Sequence, residues 1–353
     1  DIEEEPIGVT TQDVILDSVI LKSENINFIL AQRDTIAPSL VNCQALDRGK
    51  IRLDFNERLQ RESLLNLDNY SVHLQKSPGE KLEISSVYFQ GDDSKSVFLV
   101  TEDTEQGGNY QVLVSDLRDE SGNEIDSASN SCLFWGTGLP DTIGLTILYT
   151  QPKDREINVP LKSDVKIFFS EPPEKKSLKS NFILKDENEE PVKGISLWES
   201  DVVFTFMPDS LLSSMTTYKV KLKDMYDISN NPLSDSFFEI SFTTLNKDTL
   251  GSVSGEVKIL REKPKGSIVV VLKKIDSDEI LYEKVIEEPG EFLFDMVLPG
   301  KYLAKAYIDK DKDKKHGFGE IFPYIPAEPY TTFPDTIPVR SRWETEKIDL
   351  IFK

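Results

Sequence analysis

One ordered set of short motifs occurs twice in this chain, and it restricts the fold more than any other feature. Phe55-Asn56-Glu57, Asn69-Tyr70, Asn109-Tyr110-Gln111-Val112 and Asp116-x-x-Asp119-x-Ser121-x-Asn123 form the first set. Phe169-Ser170-Glu171, Asn181-Phe182, Thr217-Tyr218-Lys219-Val220 and Asp224-x-x-Asp227-x-Ser229-x-Asn231 follow in the same order. The step from Tyr110 to Tyr218 is 108 residues, and that from Phe55 to Phe169 is 114. Solenoid units recur every ~20–50 residues, so a period this long is one whole small domain. Tandem domains of short strands more often space and present something than catalyse.

The residues between the motifs support strands. Lys50–Phe55, Asn69–Leu74, Ser96–Val100, Tyr110–Val114 and Cys132–Trp135 are short runs rich in Val, Ile, Phe and Tyr. Val165–Phe169, Phe182–Lys185, Asp201–Phe206, Tyr218–Leu222 and Phe237–Thr243 are their counterparts. Turn clusters such as Gln106-Gly-Gly-Asn and Ser121-Gly-Asn separate them. With no helical pattern longer than two turns, the spacing predicts an all-β chain of sandwiches. Tyr110 and Tyr218 each follow a turn and begin an alternating strand, the placement of a tyrosine corner whose hydroxyl bonds upstream backbone. Asp116, Asp119, Asp224 and Asp227 sit where a strand enters a turn. Carboxylates there satisfy turn amides; a metal at the domain junction is the alternative.

At 353 residues the chain accommodates about two to three domains of ~100–150 residues, and three fit best. The expected division is 1–33, an N-terminal strand segment that resembles the tail of a preceding domain; 34–140; 141–247; and 248–353. A formal net charge of −21, scattered rather than gathered in a tail, argues against nucleic-acid and anionic-lipid partners. No run of about eighteen apolar residues predicts a membrane-spanning segment. Asp1 fits a processed form or an excised segment, so any export signal or lipid anchor of a lipoprotein lies outside these residues. Cys43 and Cys132 fall near the two ends of the first repeat. A disulfide in an oxidising compartment and two buried thiols both fit.

The opening Asp-Thr-x-x-Pro at Asp34, the Phe-(Asn/Ser)-Glu after an alternating strand, the Tyr-x-Val strand and the Asp-x-Ser-x-Asn turn together resemble the bacterial Ig-like repeats of S-layer and other surface proteins. The resemblance covers about 34–137 and 141–245. Asn230-Asn231-Pro232 and Glu171-Pro172-Pro173 depart from it in turns only. It implies an exported spacer or adhesive module of the cell envelope and carries no catalytic residues.

After Gly251 the pattern changes. Val253–Ile259, Ser267–Lys273, Ile280–Val285, Glu291–Phe294 and Lys301–Ile308 read as strands punctuated by Pro289-Gly290 and Pro299-Gly300. Gly290-Glu-Phe-Leu-Phe294 through Gly300-Lys-Tyr302 resembles the transthyretin-like, carboxypeptidase-regulatory-like sandwich, implying another small surface β module.

The next segment holds the chain's one chemical constellation. Asp309, Asp311, Asp313 and Glu320 stand at positions 1, 3, 5 and 12 of a loop, with the Lys315 carbonyl at position 7. Oxygen ligands at that spacing suit Ca2+ as a cofactor. Lys314 stands where Gly is usual, and four lysines offset the charge, so a solvated hairpin tip also fits. The following Ile321–Pro334 stretch holds four prolines and four aromatic rings, Phe322, Tyr324, Tyr330 and Phe333. It reads as an extended strap without regular pairing, packed on its own sandwich or offering those rings to a ligand.

Catalysis finds little support. His73 and His316 are the two histidines, and no nucleophile–base set, Gly-x-Ser-x-Gly elbow or phosphate loop is present. Trp135, Trp198 and Trp343 lie in or beside apolar strands and read as core, with platforms for a sugar as the alternative. The expectation is a monomeric, non-catalytic rod: tandem Ig-like sandwiches plus a transthyretin-like sandwich, in an exported bacterial surface protein. Its place would be extracellular, at the cell surface or associated with the outer membrane, with a cell-envelope protein or polysaccharide as partner. A calcium-dependent carbohydrate- or protein-binding region of a larger secreted enzyme is the alternative.

Overall fold

The computed structural model describes residues 34–234, 237–260, 265–277, 281–317, 319 and 326–352; the expected strand segment in 1–33 lies outside them. The regular elements of the described part are nearly all strands, and residues 34–245 form one compact unit while those from 246 onward belong to a second.

The first unit contains two sandwiches with matching topology. In the first, Leu40–Asp47, Lys50–Phe55, Ser96–Thr101 and Ile84–Tyr88 form one sheet in that spatial order. Ser77–Leu82, Tyr70–Leu74, Asn109–Val114 and Ser131–Trp135 form the other. In the second sandwich the sheets run Ile147–Gln151, Val165–Phe169, Val203–Pro208, Gly194–Ser200, and Phe182–Lys185, Thr217–Lys223, Phe237–Thr244, Glu156–Val159. The two edges of one sheet differ: in the second sandwich Glu156–Val159 pairs parallel with Phe237–Thr244, whereas the first sandwich adds Ser77–Leu82 on the opposite edge.

The period-2 pattern explains which residues fill the cores. Ile51, Leu53 and Phe55 alternate inward, as do Tyr110, Val112 and Val114, and Tyr218, Val220 and Leu222. Each corner tyrosine is buried, and its hydroxyl accepts from the backbone N–H five residues upstream. Glu105 donates to Tyr110 at 2.9 Å and Ser213 to Tyr218 at 2.8 Å. Each ring also stacks on the strand that follows, Tyr110 on Phe134 at 5.4 Å and Tyr218 on Phe242 at 5.6 Å. Gly136 is required here, because a Cβ at that position would lie 2.5 Å from the Glu105 carbonyl and 2.7 Å from the Tyr110 ring. Tyr218→Ala should therefore cost roughly 3–5 kcal/mol, as for other large core aromatics, and Tyr218→Phe about 1 kcal/mol for the hydrogen bond. Urea unfolding of both variants checks the ratio.

The two sandwiches share a core. Tyr88, Phe98 and Val100 belong to strands of the first but pack into the cluster of Phe169, Phe204, Tyr218 and Phe242 in the second. Around them, Gln90 donates to the Ser170 carbonyl at 2.8 Å and Ser86 donates to Asp201.

The second unit is again a sandwich. Glu291–Val297, Gly251–Ile259 and Glu344–Thr345 form one sheet, with Leu350–Phe352 also pairing Gly251–Ile259. Leu281–Ile286, Ser267–Lys274, Gly300–Asp309 and Tyr330–Thr332 form the other, with Ile337–Val339 also on Gly300–Asp309. Ile268, Val270, Leu272 and Tyr302 of one sheet pack with Phe292 and Phe294 of the other in the core. Val269 and Val271 are buried with Tyr307 on the opposite face. The strap expectation needs correction: Tyr330–Thr332 is a paired strand on Tyr307, Ala306 and Lys305. The backbone donors of Gly300–Asp309 outweigh the extended preference of its prolines.

Candidate functional site

The repeat places three carboxylates at the same pole of each Ig-like sandwich. Asp34 and Asp141 open their copies, Glu57 and Glu171 follow the strand ending in Phe55 or Phe169, and Asp119 and Asp227 sit in the Asp-x-Ser-x-Asn turn. Ligand oxygens of Asp34, Glu57 and Asp119 lie within 4.8 Å of one another, and so do those of Asp141, Glu171 and Asp227.

The turn chemistry that builds the pole is the same in both copies. Asp119 accepts Asn123 N–H at 2.8 Å and Asn123 Nδ2 at 2.7 Å. Asp227 accepts Asn231 N–H at 2.8 Å and Asn231 Nδ2 at 2.9 Å. Those amides reach on to the Asp34 carbonyl at 3.1 Å and the Asp141 carbonyl at 3.4 Å. Asp34 Oδ1 accepts Ile36 N–H at 3.0 Å and Asp141 Oδ1 accepts Ile143 N–H at 2.9 Å. Turn amides thus hold the opening and turn aspartates in place.

In the second sandwich that space is filled by a cation from the first. Lys50 Nζ lies 2.5 Å from Glu171 Oε2, 3.0 Å from Asp141 Oδ2 and 3.7 Å from Asp47 Oδ2. Its side chain is 11% exposed, and those of Glu171 and Asp141 are 5%. A cleft of about 400 Å³ opens beside the cluster, lined in part by Asp47, Thr101, Asp141 and Asn230. The junction cation of the 34–245 unit is a lysine ammonium, which sequence reading missed. A signal was available: Lys50 stands five residues before Phe55, where the second copy has Asp164.

Four carboxylates around one ammonium set the electrostatics. Burial alone would depress Lys50, but hydrogen bonds to Glu171 and Asp141 outweigh it and hold its pKa above the usual lysine value. Burial raises Glu171, with Asp141 and Asp227 adding to the rise against the pull of Lys50. Burial likewise raises Asp47. Burial also opposes ionisation of Asp141, yet the Ile143 N–H and Lys50 bring it below the usual value. A raised carboxyl pKa means that the folded state binds protons more readily, so stability rises as pH falls toward that pKa. Thermal unfolding should show greater stability on the acid side of neutrality. Below about pH 3.9 the Asp141 contribution is lost as its lowered pKa is crossed. Above about pH 10.4 the Lys50 contribution fades. Glu171→Gln should flatten the rise between pH 7 and 5.

The acidic loop of the second unit brings together part of the expected calcium set. Asp309 and Asp311 converge with Glu328, ligand oxygens within 4.8 Å; Asp313 is not in this group, and Glu320 lies outside the described residues. Glu328 was not anticipated, because it returns from within the strap, eight residues past the expected Glu320. Backbone amides hold these carboxylates. Asp309 accepts from Lys312 at 2.7 Å and Lys314 at 3.2 Å, and Glu328 from Lys310 at 2.6 Å and Gly317 at 3.0 Å. Asp311 accepts from Asp313 at 3.2 Å, and Asp313 from Lys315 at 2.6 Å. The Tyr307 hydroxyl donates to the Lys314 carbonyl at 2.6 Å. Burial first, then the carboxylates of Glu283, Asp309, Glu328 and Asp313, push its pKa up to about 12.

Of the four strap aromatics, Phe322 and Tyr324 lie outside the described residues. Phe333 packs against the core, and Tyr330 is partly exposed, edge-on to His316 at 5.3 Å. Two tryptophans read as core are not: Trp135 and Trp343 are each 69% exposed. Trp135 ends an edge strand with its side chain on the outer face, and Trp343 sits at a turn. Trp198 alone packs on a core. Cys43 and Cys132 are joined by a disulfide, which spans the two sheets of the first sandwich rather than neighbours within one.

Residues 141–244 match the family model described as bacterial Ig-like domain, the span of the second sandwich. No curated protein matches the chain. Among solved structures, domains 1–6 of the surface layer protein SbsC share 12% identity over 88% of this chain and 41% of that chain, with a TM-score of 0.29. The N-terminal part of the bacterial S-layer protein SbsC shares 14% identity over 59% and 44%, with a TM-score of 0.27. L,D-transpeptidase 3 from Mycobacterium tuberculosis shares 12% identity over 41% and 46%, with a TM-score of 0.21. The chain spans less than half the length of these S-layer chains.

Proposed function

We propose that this chain is a non-catalytic structural or adhesive region of an exported bacterial cell-surface protein, acting as a multi-domain spacer. The observation that carries the reading is the Lys50 junction. A buried ion cluster and a shared core fix one Ig-like sandwich on the next, which serves a spacer and supplies no reacting group. The bacterial Ig-like match over 141–244, the acidic surface and a cystine suited to an oxidising compartment agree with it. The third sandwich, read as transthyretin-like, adds a further module of the same kind. The partner is an envelope protein or polysaccharide. Protease shaving of intact source cells tests the reading: peptides of 34–352 released without lysis support it, and full protection until lysis overturns it.

A second reading, calcium-dependent binding, is favoured by the convergence of Asp309, Asp311 and Glu328 beside the partly exposed Tyr330. The ion would relieve repulsion among three carboxylates, with the low affinity (~10⁻⁴–10⁻³ M) of extracellular sites. Titration with 5 mM CaCl2 is expected to raise the melting temperature of the second unit, and Asp311→Ala to abolish the rise. Asp311 is the probe because Asp309 also holds the loop through two amides. A flat titration leaves a loop built by its turns alone.

A further inference from the structure

The first sandwich carries the same acidic pole, and among the described residues no cation is paired with Asp34, Glu57 or Asp119. The second copy shows what such a pole takes. Asp141 Oδ1 is tied to Ile143 N–H and its Oδ2 to Lys50; Asp34 Oδ1 is tied to Ile36 N–H in the same way, so its Oδ2 is the counterpart of the oxygen that Lys50 uses. Asp119 and Asp227 both spend their two oxygens on the following asparagine and act through charge alone. Glu57 accepts Asn56 Nδ2 at 3.1 Å with one oxygen. The nearby Lys95 is turned to the Asn56 carbonyl at 3.2 Å.

We propose that the Asp34–Glu57–Asp119 pole is a docking socket for a lysine ammonium presented by another Ig-like sandwich of the first type, set against the N-terminal side of this one as the first sandwich is set against the second. The filled socket of the second copy and the aspartate–asparagine hydrogen bonds that both copies share single this pole out from an ordinary acidic cluster. An ammonium needs two or three acceptors, as Lys50 finds. Calcium needs six to eight oxygens, and four of those here already accept hydrogen bonds. Burial, with Asp119 and Asp34 close by, raises the Glu57 pKa, as expected where carboxylates await a counter-charge. The second sandwich cannot serve as the plug, since Asp164 stands in the place of Lys50. Such docking would join sandwiches wherever the chain resides.

The test extends the full chain with a duplicate of residues 34–140 placed directly before Asp34, so that the duplicate's lysine corresponding to Lys50 faces the socket. In the extended chain Glu57→Gln is expected to lower the melting temperature of the first unit by about 2–4 °C, and changing the duplicate's lysine to methionine should remove that effect. In the unextended chain Glu57→Gln should leave it unchanged or raise it, because one of three like charges is removed. An equal response to Glu57→Gln in both chains overturns the proposal. So does a rise with 5 mM CaCl2 in the unextended chain that Glu57→Gln abolishes, which would make the pole a metal site.

Discussion

Lys50→Ala is expected to destabilise the 34–245 unit by about 3–5 kcal/mol, the cost of removing one partner from a buried ion cluster. Truncation leaves Asp47, Asp141 and Glu171 facing one another with little access to water, and Asp227 adds its charge to the same space. Part of the loss will be recovered by proton uptake, because burial already raises Glu171; the deficit should therefore shrink between pH 7 and 5. Lys50→Met combined with Glu171→Gln should cost less than Lys50→Ala alone, since a neutral, packed replacement removes both desolvation penalties. Urea unfolding at the two pH values checks all three statements. A Lys50→Ala cost below about 1 kcal/mol would match an exposed ion pair and contradict the burial.

Removing the Cys43–Cys132 disulfide should have a comparably large effect, confined to the 34–245 unit. The bond closes 89 residues, and the chain-entropy model assigns such a loop roughly 4–5 kcal/mol. A structural reason adds to this. In the second sandwich, Glu156–Val159 closes the edge beside Phe237–Thr244. The matching strand Ser131–Trp135 has no neighbour beyond it among the described residues. The disulfide ties that edge to Leu40–Asp47 in the opposing sheet. Reduction, or Cys43→Ala with Cys132→Ala, should lower the unfolding midpoint of the first unit and leave the second unit unchanged. Peptide mapping without reduction should recover the two cysteines linked.

The strands and corners were legible because each is a local pattern. Ile51, Leu53 and Phe55 alternate, and Tyr110 and Tyr218 recur after a turn in matched strands. The edges were harder to see. Leu40–Asp47, Ser77–Leu82 and Ile84–Tyr88 carry mixed polar runs whose outer face is either solvent or the neighbouring sandwich. Tyr88 and Phe98 are the clearest case: on the outer face of one sheet they enter a core that the first repeat does not own. The acids of the pole were each visible inside a motif, and Asp119 and Asp227 do hold turn amides as expected. What joined them was not visible. Lys50 lies 91 residues from Asp141 and 121 from Glu171, and only the packing of two domains brings them together. Trp135 shows the opposite error, since an apolar strand end was read as core where a sheet edge leaves its outer face bare.

An ammonium from one sandwich fixes the next. The most direct measurement is a double-mutant cycle on Lys50 and Glu171 in the full chain, with unfolding free energies for Lys50→Ala, Glu171→Gln and the pair. A coupling of about 1.5–3 kcal/mol is predicted, at the upper end for residues in one ion network. Costs that add to within ~0.3–0.5 kcal/mol would mean that the two side chains act independently, and the lysine lock would not exist.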